Sequence, residues 1–292
     1  MALLYGGSAW AQEMEPRAYS NAPIGMNFLL MGYGYSNGAL LFDPSLPVQG
    51  ANAAVNIGLA AYAHAFEFKG QSAKFAMVLP YAGLDANGVI DSVYHERVVS
   101  GLADPAIAVS VNISGAPALT FNEFLNYQQD TIVGATIKLS VPWGQYDPDR
   151  LLNLGSNRWS LKPELGISQA LGKWIVEGAA AVTFYSDNND FFGGQELEQA
   201  PIYSMQGHVV YNFSPGLWTA INMTYFTGGI SKVDGIEKDN KLNNWRLGIT
   251  LALPMNKFSS IKLAVSTGIS TRTGTDFDAI LLAWQYRWGG GL

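Results

Sequence analysis

The chain contains no cysteine, so neither a disulfide framework nor a thiolate metal site is open to it. Charge is also scarce: Asp, Glu, Lys and Arg make up 14% of the 292 residues, against about 25% in a soluble domain. There is no basic excess either. A formal net charge of −6 argues against nucleic acid, which requires a basic stripe. A membrane-spanning helix is missing as well. Residues 18–42 carry no charge, but Pro23, Gly25, Gly32, Gly34 and Gly38 interrupt them together with Asn21, Asn27 and Asn37. Such a helix needs about 20 predominantly apolar residues in a row.

What the chain does have is 48% hydrophobic residues, 12% aromatics and 32 glycines. Its polar character therefore comes from small uncharged residues. That is the profile of a β-barrel in a membrane, which must be apolar at only every second strand position. The stretch 276–288, D-F-D-A-I-L-L-A-W-Q-Y-R-W, has this form. Ile280, Leu282, Trp284, Tyr286 and Trp288 share one parity, and Ala283, Gln285 and Arg287 the other. A period of two places the rings on one face of a strand, and Trp and Tyr favour the headgroup level of a bilayer. A closing strand with alternate apolar residues and a terminal aromatic resembles that of bacterial outer-membrane barrels.

The same alternation recurs along the chain and predicts about twelve strands, at 27–35, 55–68, 74–81, 101–113, 132–143, 158–171, 174–185, 202–213, 217–226, 244–253, 261–270 and 278–288. Short turns at 69–72, 172–173, 214–216 and 254–260 alternate with long polar loops at 37–52, 82–100, 144–157, 186–201, 228–243 and 271–277. Short periplasmic turns and long extracellular loops are what an outer-membrane barrel shows. The fold class expected is therefore all-β, a transmembrane antiparallel up-and-down barrel. One connection is irregular. Residues 114–130 should form a periplasmic turn yet are long, and Pro117 followed by Leu119, Phe121, Phe124 and Leu125 predicts a short helix. It is expected as a cap on the barrel rim, with a plug in the lumen as the other reading. Ala9-Trp10-Ala11 has the form of a cleavage site without the usual basic segment before it. Residues 1–11 are accordingly expected to be a truncated signal peptide and 12–292 a single barrel. The stretch 12–23 is too short for a sizeable plug domain.

Parity sharpens the argument. Arg158, Lys162 and Glu164 lie opposite Trp159, Leu161 and Leu165; Glu177 opposite Trp174 and Val176; Arg246 opposite Trp245 and Leu247. Lys138 lies opposite Ile137 and Leu139, Lys262 opposite Ile261 and Leu263, and Arg287 opposite the closing rings. Every one of these charges falls on the non-aromatic face. A basic residue on the lipid side at mid-membrane costs roughly 2–4 kcal/mol, and a soluble sandwich would exclude charges from its buried face. The candidate lumen-lining residues are therefore Lys138, Lys162, Glu164, Glu177, His208, Arg246, Lys262, Arg272 and Arg287.

The other motifs point nowhere specific. The three histidines, His64, His95 and His208, have no His-x-Ser or His-x-x-x-His spacing, so a membrane-embedded hydrolase is the weakest reading. Asp187-Asn-Asn-Asp190 lacks the alternate ligand spacing of a calcium loop, and Gly32-Tyr-Gly34 lacks the rest of a dinucleotide fingerprint. No catalytic residue, metal or cofactor is expected.

Nearly the whole chain resembles the MetA-pathway of phenol degradation family, transporter-like outer-membrane barrels. The matching stretches are Glu15-Pro-Arg-Ala-Tyr-Ser-Asn-Ala-Pro23, Asp43-Pro-Ser-Leu-Pro47, Ser100-Gly-Leu-Ala-Asp-Pro105 and Asp130-Thr-Ile-Val-Gly134. They continue with Asn153-Leu-Gly-Ser-Asn-Arg-Trp159, Asp190-Phe-Phe-Gly-Gly194, Ser270-Thr-Arg-Thr-Gly274 and Trp284-Gln-Tyr-Arg-Trp288. The resemblance implies an association with aromatic catabolism and brings no catalytic residues. The function expected is passive outer-membrane passage of small aromatic or weakly polar compounds. A non-conducting structural or adhesive barrel is the alternative. The partners expected are the bilayer with its lipopolysaccharide, a small-molecule solute and the barrel-assembly machinery during biogenesis, with no nucleic acid and no second subunit.

Overall fold

The computed structural model of the protein describes residues 15–41, 48–90 and 92–292. The segment expected as a signal peptide, 1–11, lies outside the described residues, as does 42–47 of the first loop. In chain order the strands are β1 (Met26–Leu41), β2 (Val48–Phe68), β3 (Gln71–Ile90), β4 (Val93–Leu102), β5 (Ala106–Ser114), β6 (Thr131–Ser140), β7 (Ser160–Leu171) and β8 (Trp174–Tyr185). They continue as β9 (Asn188–Phe191), β10 (Gln195–Gln199), β11 (Ile202–Ser214), β12 (Leu217–Gly228), β13 (Ser231–Val233), β14 (Ile236–Glu237), β15 (Leu242–Pro254), β16 (Ser259–Ser270) and β17 (Gly274–Gly289). One short helix, α1 (Phe121–Phe124), lies between β5 and β6.

The strands make a closed antiparallel barrel of twelve wall positions, β4 and β5 sharing one of them. Closure runs through β1 and β17, in register from Met26↔Gly289 to Leu41↔Gly274. Closure satisfies the requirement that no backbone donor or acceptor face hydrocarbon unpaired. The outward parity is greasy throughout the band: Leu165 and Ile167 on β7, Met205 and Val209 on β11, and Ile221 and Met223 on β12 are all exposed. Rings border it. Trp284, Tyr286 and Trp288 stack along one face of β17 at centroid spacings of 5.9 and 5.8 Å. Trp174 meets Tyr211 at 4.7 Å and Tyr225 meets Trp245 at 4.6 Å. The expected girdle is present.

Three features differ from the sequence expectation. β2 and β3 run for 21 and 20 residues, about twice the 9–11 that a crossing needs. The polar stretches 37–52 and 82–100, expected as loops, are largely strand, because this part of the wall continues beyond the bilayer. Above Tyr35, Tyr81 and Ile280 the outward parity turns to Asn37, Asp85 and Asp278, all exposed. Alternation of apolar and polar residues fails there because neither face meets lipid. Secondly, the loops 186–201 and 228–243 contribute a small extracellular sheet in the order β14-β13-β10-β9, packed on Phe191, Leu197 and Val233.

The third difference is in the wall. The strand expected unbroken over 101–113 is interrupted at Ala103-Asp104-Pro105, between β4 and β5. Val78↔Ala106 and Tyr81↔Leu102 both pair across β3, so the interruption inserts one extra residue, as a β-bulge does. Proline brings it about. Pro80 on β3 and Pro105 have no N–H to give the ladder, and Pro142 follows the end of β6.

The 114–130 connection bonds to the chain at Gly70 and Ile24, through Ala118 N and the Leu119 carbonyl. Thr120 and Glu123 form a capping box at the start of α1. Phe121 packs beside Ala22, Met26 and Ala65.

Candidate functional site: an occluded lumen

Residues 15–25 do not lie across the periplasmic opening; they thread into the lumen, short as they are. Tyr19 is the anchor, 4% exposed. A Cβ added at Gly134 or Gly166 would overlap the Tyr19 ring. Gly134 pairs with Gly166, and Gly166 with Ala179, so three adjacent strands present a floor of minimal side chains. Glycine inside a strand weakens it and marks a close approach by another group; here that group is an aromatic ring. At its far end Tyr19 Oη donates to Glu164 Oε1 at 2.9 Å, while Thr136 Oγ1 donates to Tyr19 Oη at 3.3 Å.

The rest of the segment is fastened in the same way. Arg17, in the left-handed region at φ 66°, donates its N–H to Glu177 Oε2 at 2.6 Å. Its guanidinium lies 5.4 Å from the centre of the Trp218 ring. Lys74 Nζ donates to the carbonyls of Ala18 and Ser20. Glu15 pairs with Lys262 at 2.6 Å. Wall residues thus receive this segment through charge, hydrogen bonding and shape together.

The extracellular mouth is filled by the loop 141–159. Leu154 packs among Leu40, Ala82, Leu84, Ala103 and Phe277 on the inner face of the extended wall. Asp104, in the break between β4 and β5, is 1% exposed. Its carboxylate accepts from Gly144 N at 2.9 Å, Ser156 N at 2.8 Å and Ser156 Oγ at 2.5 Å. Arg158, also buried, donates to Gln199 and stacks 4.3 Å from the centre of the Tyr185 ring, tying the loop to the extracellular sheet.

Beside the segment 15–25 lies a cavity of about 180 Å³. Ala76, Val78, Ala106 and Ala108 line one side of it, and Lys138, Lys162, Glu164 and Gln206 the other, with Glu15 and Ala18 also bordering it. Lys162 and Glu164 pair at 3.3 Å.

Of the nine sequence candidates, Lys138, Lys162 and Glu164 border the cavity. Glu177 and Lys262 hold the inserted segment. His208 Nδ1 lies 2.8 Å from Asn222 Oδ1, and Asn222 donates on to Thr250, a polar ladder on the inner wall. Arg246 donates to the Phe277 carbonyl at 2.6 Å and to Ser266 Oγ at 3.3 Å. Two candidates stand elsewhere. Arg272 lies in the extracellular turn between β16 and β17, held by Asp239 and the Lys241 carbonyl. Arg287 lies at the periplasmic rim, donating to the Lys257 carbonyl. Arg287 follows the inward parity of β17, but parity is silent about height; Arg272 is exposed and lies outside any strand, where alternation carries no information. Tyr19, Lys74 and Asp104 were missed. The glycines at 134 and 166, inward positions that any side chain would serve better for strand formation, were the available signal.

His64 Nδ1 lies 2.9 Å from Asn27 Oδ1 and His208 Nδ1 lies 2.8 Å from Asn222 Oδ1, so among the described residues these two histidines have asparagine partners.

Arg246 gives one stability prediction. Arg246→Met should lower stability by about 1–3 kcal/mol, because the buried Phe277 carbonyl loses its donor. The readout is a lower temperature for loss of the compact, heat-modifiable band in detergent gels.

A closed barrel with a lipid-facing apolar band, two aromatic girdles and an ionic interior is a transmembrane protein of the bacterial outer membrane. The chain belongs to the family described as Putative MetA-pathway of phenol degradation, whose model matches residues 36–283. An outer membrane channel from Pseudomonas putida F1 shares the fold with a TM-score of 0.79, at 22% identity over 94% of this chain and 100% of that one. The β-domain of the Bordetella autotransporter BrkA follows at 0.56, with 8% identity over 90% and 100% of the two chains. The transport unit of the autotransporter AIDA-I from Escherichia coli superposes at 0.55, with 8% identity over 94% and 93%. No match to the chain is found among the curated proteins.

Proposed function

We propose that the protein is an outer-membrane channel for small, largely apolar compounds of monoaromatic size, phenols among them, which cross by diffusion as their gradient dictates. The observation that carries this reading is the cavity of about 180 Å³ with one aliphatic and one charged side. A cavity of about 150 Å³ suffices for benzene, and the charged side gives a hydroxyl or weakly polar substituent its partners. Family membership supports the same class of compound. The channel acts as a single chain, with the lipopolysaccharide leaflet around its extracellular half. Chemistry on the solute has no place in this reading.

Initial uptake of labelled phenol and toluene, compared between Gram-negative cells that make the protein and cells that lack it, tests the proposal. A several-fold faster uptake is expected; equal rates would overturn it. A second reading, a non-conducting structural or adhesive barrel, is favoured by the seating of residues 15–25 in the lumen. It predicts no uptake, and no conductance in planar bilayers even after that segment is removed.

A further inference from the structure

We propose that the recess under Tyr19 is a binding site for neutral phenols, which Tyr19 occupies as a tethered ligand and from which a free phenol displaces it. The site stands without the channel reading above; its part in opening the lumen rests on that reading.

The Tyr19 side chain is itself a 4-alkylphenol, and the wall is shaped around it. A Cβ at Gly134 would run into Cδ1 and Cε1 on one edge of the ring, and a Cβ at Gly166 into Cδ2 and Cε2 on the other. The two glycines are register partners on β6 and β7, so together they make a recess the width of one ring. Ala179 continues it on β8, and the buried Ile132 and Ala116 pack in the same cluster. The hydroxyl is met twice. Glu164 Oε1 accepts its hydrogen, and Thr136 Oγ1 donates one to its oxygen. This pair of contacts selects a neutral hydroxyl. A methyl group or an ether has no hydrogen to give Glu164, and a phenolate or carboxylate would set like charge against it. A site built to bond a hydroxyl rejects the analogue that lacks one, because its own polar group is left unpaired.

Ring and tether are separable. The contacts above are to ring and hydroxyl atoms, whereas the backbone of the segment is held elsewhere, at Arg17 N by Glu177 and at the Ala18 and Ser20 carbonyls by Lys74. Those are polar bonds that water can replace. The recess also adjoins the cavity of about 180 Å³, which Thr136, Glu164 and Ala18 border. A phenol in that cavity therefore meets the same two groups that hold the Tyr19 hydroxyl. Tyr19 is the one aromatic residue of the segment 15–25, so a phenol that takes its place removes the segment's ring anchor. A tethered group competes at an effective concentration of about millimolar order, and displacement needs phenol at that level or above. The lumen is thereby shut while solute is scarce and released when it is abundant.

The test supplies the missing side chain as a free molecule. In Tyr19→Gly protein, p-cresol should fill the recess and raise by several degrees the temperature at which the compact band is lost in detergent gels. Toluene at the same concentration should raise it less than half as much. In Gly166→Val protein, whose new side chain fills the recess, p-cresol should not raise it. Equal shifts in the two variants would overturn the site. A second measurement needs no substitution in the segment: millimolar p-cresol should raise the single-channel conductance of the unsubstituted protein at least twofold, with no rise from toluene and none in Gly166→Val protein. An unmoved conductance with p-cresol would overturn displacement and leave Tyr19 a fixed stopper. If p-cresol stabilises Tyr19→Gly protein yet cells take up no phenol, the channel reading falls and the site stands.

Discussion

Gly166→Val should open the lumen. The added isopropyl group enters the space occupied by the Tyr19 ring, beginning with its Cβ, and the wall cannot yield, because Gly166 is paired on both sides, with Gly134 and Ala179. The ring must leave, and with it go its bond to Glu164 and the seating of Ala18 and Arg17. Valine is also the better strand residue, so the barrel itself should fold at least as well as before. The expected result is a single-channel conductance several-fold above that of the unsubstituted protein, with the barrel's heat-modifiable band retained. Tyr19→Gly should give the same rise from the other partner, and combining the two should add little, since both remove one contact. Conductance unchanged in both variants would mean that ions take a path that avoids the inserted segment.

The largest loss of stability is expected from a charge on the wrong face. Leu165 is midway along β7, 62% exposed, while its neighbour Glu164 turns inward to Tyr19 and Gln206. Leu165→Arg should cost roughly 2–4 kcal/mol, read as a lower urea midpoint for unfolding from lipid vesicles, whereas Leu165→Met should leave the midpoint nearly unchanged. A midpoint unmoved by arginine would mean that this face does not meet hydrocarbon.

How far such reasoning reaches from the sequence alone differs between the wall and its contents. Along β8, Trp174, Val176, Val182 and Phe184 alternate so regularly that the strand expected over 174–185 is the strand found. Lipid on one side and water on the other impose that period directly. Where lipid stops, so does the signal, and β3 runs nine residues beyond the expected end at 81. The inserted segment was illegible for a different reason: Tyr19 is held by residues far apart in sequence, 145 positions away in the case of Glu164. No local period encodes that. The glycines opposite it did carry a trace, as inward strand positions kept empty. The break at Ala103-Asp104-Pro105 was hidden because alternation before and after it predicts one continuous strand, although Pro80 and Pro105 already denied the ladder two donors.

The pairing of β1 with β17 has a consequence for how the molecule is made. Its first and last strands are hydrogen-bonded neighbours, with Met26 opposite Gly289, so the final seam of the wall joins the two most distant parts of the barrel. Such contacts come late, because the entropy of bringing distant segments together must be met before they form. Until they do, β1 presents bare amides and carbonyls that hydrocarbon cannot satisfy. A nascent chain therefore has no partly inserted resting state in the bilayer, and β1 has to be shielded until β17 arrives.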